Sequence, residues 1–188
     1  MINKGRSRDD RGERDDYQTP PEGLTALFYI LPNSWTIWEP AAGDGIMANA
    51  LEQKGYTVIR SDIHKGFDFL KNDPVWDFDV IVTNPPYSKK FEFLKRACVL
   101  NKPFALLLPY TTRETVKRQD LFIVYDLKEL TPKKRINFIP PIGIKNSSVN
   151  FPTEWVTRGL LDRAVDYELR FEREAQQHLL RAEAIESV

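Results

Sequence analysis

The run Phe104-Ala-Leu-Leu-Leu108 contains no polar side chain. It is too short for a complete helix, and it lacks the polar alternation of a strand with one wet face. A run of this kind belongs in a sheet buried on both sides, and such sheets are built from parallel strands covered by helices. Asp79-Val-Ile-Val-Thr83, bounded by Asn84-Pro85-Pro86, has the same character, and Trp35 to Trp38 and Tyr56 to Arg60 are β-rich runs upstream. Helical segments separate them: Ile46 to Lys54, closed by Gly55, and Phe91 to Leu100. Leu24, Leu27, Phe28 and Leu31 carry a helical period over Glu22 to Leu31, entered through Pro20 and Pro21. Strands alternating with helices predict an α/β fold with a mostly parallel sheet and helices on both faces. Leu121 to Leu130, Asn137 to Ile139 and Val149 to Trp155 are expected as further strands that add an antiparallel edge.

At 188 residues the chain has room for one core. Residues 1–16 have almost no apolar side chains and alternate in charge, so they are expected as a disordered tail. Residues 17–156 form the expected domain. Residues 157–188 lack Pro and are rich in Arg, Glu, Ala and Leu, which predicts a C-terminal helix that docks on the domain or pairs with a second copy or an accessory partner. No internal repeat is present. One cysteine, Cys98, cannot form an internal disulfide, and the N-terminus is charged, so the expected location is the cytoplasm. No apolar stretch approaches the roughly 20 residues of a membrane span. His64 and His178 are far apart in sequence and no metal-ligand cluster is expected, leaving the chemistry to oxygens, amides and an organic cofactor.

In an open α/β sheet, ligands bind beyond the carboxyl ends of the strands, where a glycine turn lets the backbone approach closely. Glu39-Pro-Ala41-Ala-Gly43-Asp44-Gly45 follows the first strand, and Asp62 ends the second, about twenty residues on. A carboxylate there can accept both hydroxyls of a ribose. The spacing fits NAD and S-adenosylmethionine alike. Glu39 and Asp44 at the turn favour a ligand bearing an ammonium and a sulfonium, because they would repel a pyrophosphate. In Gly66-Phe-Asp68-Phe69, Asp68 can accept from an adenine amino group and Phe69 can lie along the ring, although Phe67 and Phe69 also suit a core.

Asn84-Pro85-Pro86-Tyr87 follows the third strand directly. Residues before proline are held extended, and proline has no N–H, so the segment is stiff and its carbonyls remain acceptors. An aryl amine is a poor nucleophile because its lone pair is delocalised. The Asn84 side-chain oxygen and the Pro85 carbonyl can hold both amino protons and turn the lone pair out of the ring. Tyr87 offers a flat face to a base rotated out of a duplex. As structure alone, the same residues would be a Pro-Pro turn ending a strand.

Net charge is zero, but its distribution is uneven. Tyr17 to Thr83 has nine acidic against four basic residues, and Asn84 to Arg135 has twelve basic against five acidic. The second half thereby becomes the candidate nucleic-acid surface, with Lys89, Lys90, Arg113, Lys117, Arg118, Lys133, Lys134 and Arg135 as phosphate contacts if they share a face. Solvated helix faces are the alternative for each one singly.

Together these segments resemble the adenine-N6 DNA methyltransferases, in the group whose cofactor motif precedes the catalytic motif. Thr19-Pro20-Pro21-Glu22 resembles their N-terminal cofactor motif, Glu39 to Gly45 their glycine motif, Asp62 the ribose acid, Asp68-Phe69 the adenine pair, and Asn84-Pro-Pro-Tyr87 the catalytic tetrapeptide. The five elements occur in order over about residues 17–110. The resemblance implies a Rossmann-like methyltransferase fold and S-adenosylmethionine as cofactor. It implies cofactor contacts at Thr19, Pro20, Glu39, Ala41, Gly43, Asp44, Gly45, Asp62, Ile63, Asp68 and Phe69, and catalysis by Asn84, Pro85, Pro86 and Tyr87. Lys133-Lys-Arg135-Ile-Asn-Phe138 resembles the arginine-containing strand entrance of small viral relatives. The larger restriction-associated members carry a separate target-recognition domain, for which the chain has no room, so it is most similar to small stand-alone enzymes of phages and mobile elements. Any base reading then falls to residues 111–150 or to a partner. The tetrapeptide also occurs in methyltransferases acting on glutamine amides of release factors and on guanines of ribosomal RNA. The Glu-Pro start of the glycine motif and the upstream Thr-Pro-Pro-Glu favour adenine in DNA over those alternatives. A nucleic-acid-binding relative without cofactor affinity would not need Gly43, Gly45, Asp62 and Asn84 together.

Overall fold

The computed structural model describes residue 15, residues 17–141, residues 152–162 and the backbone at 165–166. The strands are β1 (Thr36–Glu39), β2 (Thr57–Arg60), β3 (Val80–Thr83), β4 (Phe104–Pro109), β5 (Lys128–Thr131), β6 (Thr153–Arg158) and β7 (Val165–Asp166). The helices are α1 (Ile46–Gln53), α2 (Lys90–Leu100) and α3 (Val116–Val124). One seven-stranded sheet has the order β2-β1-β3-β4-β6-β5-β7. Only β6 runs against the others: it is antiparallel to β4 and β5, while every remaining pair is parallel.

The apolar runs divide between two faces, as the side-chain period of a strand requires. Val80, Val82, Ala105 and Leu107 join Leu24, Leu27, Leu51 and Trp155 on one face. Ile81, Phe104, Leu106 and Leu108 join Trp38, Phe69, Leu94 and Phe122 on the other. A mostly parallel sheet covered on both faces is therefore the observed architecture. Among the described residues, no helix is long and apolar enough to cross a membrane.

Four local expectations change. Glu22 to Leu31 is two 3-10 turns, Pro21–Leu24 and Leu27–Tyr29, instead of one helix. The Gly23 carbonyl, which would accept from Leu27 in an α-helix, accepts from Trp155 Nε1 at 3.1 Å. Leu121 to Leu130 is not one strand: α3 runs through Val124 and β5 starts at Lys128, with the break at Asp126, where φ is 53°. Phe122 at helical spacing turns into the core and decides the first half. Asn137 to Ile139 contributes a single bridge, Ile139 to Gln18. The expected C-terminal helix does not begin at Thr157, since Thr157 and Arg158 complete β6 and Val165–Asp166 form β7. The β-rich Thr153-Glu-Trp-Val-Thr-Arg158 pairs with β4 over six residues, and that register outweighs local helix propensity. The rest of the expected helix and nearly all of the expected tail lie outside the described residues.

Candidate active site

The carboxyl ends of the parallel strands β1, β2 and β3 deliver Glu39, Asp62 and Asn84 to one edge of the sheet. There a cavity of about 410 Å³ is lined by Thr19, Glu39, Ala41, Gly43, Asp62, Ile63, Asp68, Phe69, Asn84, Pro86 and Lys89, all expected site residues. Asp15, Tyr17, Gln18, Pro40, Met47, His64, Leu70, Lys71 and Phe93 complete its wall.

The glycine turn is built for close approach. Gly43 has φ 50°, and a Cβ there would lie 2.5 Å from Gln18 Nε2, so Gln18 occupies the space a side chain would take. Gly45, with φ 82°, caps α1 and faces Arg60, where a Cβ would lie 2.9 Å from the guanidinium. Asp62 ties this turn to the next one: its two carboxylate oxygens accept from the Gly43 and His64 N–H groups, each at 2.8 Å. Each oxygen keeps further lone pairs for a ligand. Lys65 Nζ donates to the Gly43 carbonyl at 3.1 Å.

Glu39 is 2% exposed, and its Oε2 has no hydrogen-bond partner. Burial pushes its carboxyl up to about 8 against the opposing pull of Arg60. Such a carboxyl is a latent counter-charge for a cation entering the cavity. Thr19 is equally enclosed, and its Oγ1 also lacks a partner. Asp68 is held by Lys71 at 2.9 Å and by the Leu70 N–H at 3.0 Å, and the hydrogen bond from Lys71 leads in drawing its pKa down. Phe69 stacks on Phe93 with centroids 4.7 Å apart and sits edge-on to Trp38, so it is a core residue as well as a wall of the cavity.

Asn84 Nδ2 donates to the Tyr17 carbonyl at 3.2 Å, while its buried Oδ1 has no partner. The amide orientation follows from this bond, because a carbonyl needs a donor opposite it. Asp15 accepts from the Ser88 N–H, fixing the turn after the tetrapeptide.

Pro20, Asp44, Gly45, Pro85 and Tyr87 are not in the cavity wall. Pro20 and Pro85 are buried and Asp44 is exposed at the turn. The flat face expected of Tyr87 is not presented to the cavity either. Its ring packs on the core and meets Phe138 edge-on at 6.3 Å, and burial raises its pKa.

The eight candidate cations have different surroundings. Lys89 reaches the cavity and Lys90 Nζ donates to the Tyr87 carbonyl at 3.1 Å. Arg113 is paired with Glu129 and lies 4.8 Å over the Phe122 ring. Arg118 lies 5.7 Å over Phe91, and Lys117 is exposed on α3. Lys133, Lys134 and Arg135 line a second cavity of about 300 Å³. Tyr17, Gln18, Lys71 and Phe93 were not anticipated. Tyr17 and Gln18 adjoin the Thr-Pro-Pro-Glu motif, which was a signal for them, whereas Phe93 enters from α2 with no motif at all.

No family model and no curated protein sequence matches the chain. Solved structures do. The methyltransferase subunit of a type I restriction-modification system from Streptococcus thermophilus superposes with a TM-score of 0.51 at 16% identity, over 76% of this chain and 44% of that one. The likeness is one of fold, a mostly parallel sheet covered by helices, consistent with a Rossmann-like methyltransferase architecture. A ribosomal protein L11 methylase from Lactobacillus delbrueckii subsp. bulgaricus follows with a TM-score of 0.47 at 14% identity, over 73% of this chain and 76% of that one. A release-factor-specific protein-(glutamine-N5) methyltransferase from Alicyclobacillus acidocaldarius gives 0.41 at 16% identity, over 73% and 92%. The chain spans less than half of the restriction-modification subunit, so the likeness concerns this fold and not that protein's whole apparatus.

Proposed function

We propose that the chain is an S-adenosylmethionine-dependent methyltransferase whose acceptor is the N6 amino group of adenine in DNA. The observation that carries this reading is the amide of Asn84, a residue of the cavity wall: its nitrogen is committed to the Tyr17 carbonyl, and its buried oxygen has no partner. An unfilled buried acceptor costs about 1–3 kcal/mol, which a ligand N–H would recover.

The cavity residues fit the cofactor. Glu39 and Thr19 offer partnerless buried oxygens for a ligand carrying an ammonium, Asp62 has lone pairs left for ribose hydroxyls, and Phe69 and Phe93 supply apolar wall. Bound S-adenosylmethionine supplies an electrophilic methyl group. Asn84 Oδ1 accepts one amino proton of the base and turns the nitrogen lone pair out of conjugation, a role the Pro85 carbonyl does not share because Pro85 lies outside the cavity wall. The acceptor nitrogen is neutral, so no base of special pKa is needed before transfer. Positioning is the larger contribution, since orientation of reacting groups is worth up to roughly 7–11 kcal/mol against about 1 kcal/mol for one neutral hydrogen bond.

Labelled S-adenosylmethionine is incubated with the protein and unmethylated DNA, RNA or release factor, and the products are resolved by nucleoside and peptide mass spectrometry. N6-methyladenine in DNA alone is expected. Label in RNA bases or a glutamine amide, with DNA unlabelled, overturns the choice of substrate.

A further inference from the structure

The cavity at Lys133 to Arg135 lies beside the active site by construction of the sheet. β5 is parallel to β4, so Pro132 leaves β5 at the same edge where Asn84 leaves β3. From there the chain alternates: Ile136 and Phe138 are buried, while Arg135, Asn137 and Ile139 are exposed, the pattern of an extended segment with one face on the core. Ile139 then pairs with Gln18 through two backbone hydrogen bonds of 2.9 Å. Gln18 and Thr19 are in the wall of the first cavity, and Glu22 and Gly23 are in the wall of the second. Thr19 and Glu22 are three residues apart, a span of at most about 10 Å. The two cavities are neighbours along one track.

The second cavity has three cations, Lys133, Lys134 and Arg135, against the single carboxylate of Glu22, and Thr25 and Asn137 add polar side chains. Its floor is fixed. A Cβ on Gly23 would lie 2.9 Å from Thr19 and 3.3 Å from Ile136, so the first turn and the 132–139 segment are in close contact there, and Trp155 holds the Gly23 carbonyl.

We infer that this groove, formed between the Pro21–Thr25 turn and residues 132–137, binds the phosphodiester backbone of a single polynucleotide strand next to the base that enters the Asn84 cavity. The inference rests on the reading that the substrate is a nucleic acid, and it gives that substrate a path: one strand, tracked by Lys133, Lys134 and Arg135, with its neighbouring base turned past Ile139 and Gln18. Arg113, Lys90 and Arg118 are in the wall of neither cavity.

The test uses the full chain, with fluorescent single-stranded DNA and RNA oligonucleotides of 2 to 8 nucleotides titrated at several salt concentrations. The variants are Lys134→Glu/Arg135→Glu, the neutral Lys134→Ala/Arg135→Ala, and Lys102→Glu at the opposite, amino-terminal end of β4 as a control for net charge. The reversal pair is expected to weaken strand binding at least tenfold at low salt, and to flatten the slope of log K against log salt by roughly 0.7 for each phosphate that is no longer neutralised. The neutral pair is expected to do so to a smaller degree and Lys102→Glu not at all, with S-adenosylmethionine affinity unchanged throughout. Loss for RNA strands alone supports the groove while removing DNA as the substrate. Equal affinity and slope in the wild type and both pairs, or no strand binding by the wild type while it still binds S-adenosylmethionine, overturns the groove and leaves the methyl-transfer reading to its own assay.

Discussion

The side-chain nitrogen of Asn84 donates to the backbone carbonyl of Tyr17, and this one bond decides which end of the amide remains as an acceptor. Asn84→Asp, which is nearly isosteric, would set a carboxylate oxygen against that carbonyl with no proton between them. The side chain must then swing away, and a displacement of about 1 Å in a reacting site can cost 10²-fold in rate. Asn84→Asp is therefore expected to lower kcat by roughly that factor or more, and Asn84→Ala to abolish transfer. Both should keep cofactor affinity within a few fold, as measured by calorimetry. Full activity in the Asp variant would mean that the Tyr17 carbonyl does not orient the reacting group.

Gly43 makes a second constraint measurable. At φ 50° a side chain meets left-handed strain of roughly 1–2 kcal/mol, and the Cβ also meets Gln18. Gly43→Ala is expected to lower unfolding free energy by about 1 kcal/mol or more and to weaken S-adenosylmethionine binding. Adding Gln18→Ala should return the steric part and leave the backbone part. Denaturant titrations of the two single variants and the double variant separate these contributions, and a Gly43→Ala protein with wild-type stability contradicts the close approach.

The parallel half of this architecture was legible because its strands are short apolar runs, Val80–Thr83 stopped by Asn84 and Phe104–Pro109 closing on Pro109 itself. Glu39, Asp62 and Asn84 were legible for the same reason, since each stands at a strand's carboxyl end. What failed was decided by distant partners. The Gly23 carbonyl is claimed by Trp155, 132 residues away in sequence, and that contact converts a helical period into 3-10 turns. Thr157 belongs to a strand because β4 pairs with it, which the polar sequence after it gave no hint of. Arg113 and Tyr87, expected at a nucleic acid from residue type, also have protein partners, Glu129 and Phe138, that no local pattern announces.

Glu39 predicts a pH dependence of ligand binding. Its carboxyl is raised to about 8 by burial, so in the free protein it is mostly neutral at pH 7. A bound cation favours the ionised form. Cofactor affinity should then rise from pH 6 to pH 7.5, by at most about tenfold per pH unit, as deprotonation costs less. The window stops there because α-amino groups themselves titrate near 7.7–8.0. Glu39→Gln should bind more weakly at pH 7.5 and with a flatter profile, and parallel profiles for the two proteins would remove Glu39 from the cation's surroundings.

Glu154 offers a test that involves no ligand. It lies on β6, 7% exposed, and burial raises its carboxyl to about 7, with Glu129 adding to the rise and Arg113 opposing it. A carboxyl whose folded pKa exceeds its unfolded value stabilises the fold fully only below the unfolded value, near 4.5, and that contribution is lost as pH climbs through 7. Glu154→Gln keeps the shape and cannot ionise. At pH 5 the two proteins should unfold at similar temperatures. By pH 8 the variant should be the more stable, by an amount on the order of 3 kcal/mol. Glu39 titrates in both proteins and cancels from the difference. Melting curves from pH 5 to pH 8 that keep a constant gap would mean that Glu154 stays ionised in the folded chain, held by Arg113 despite its burial.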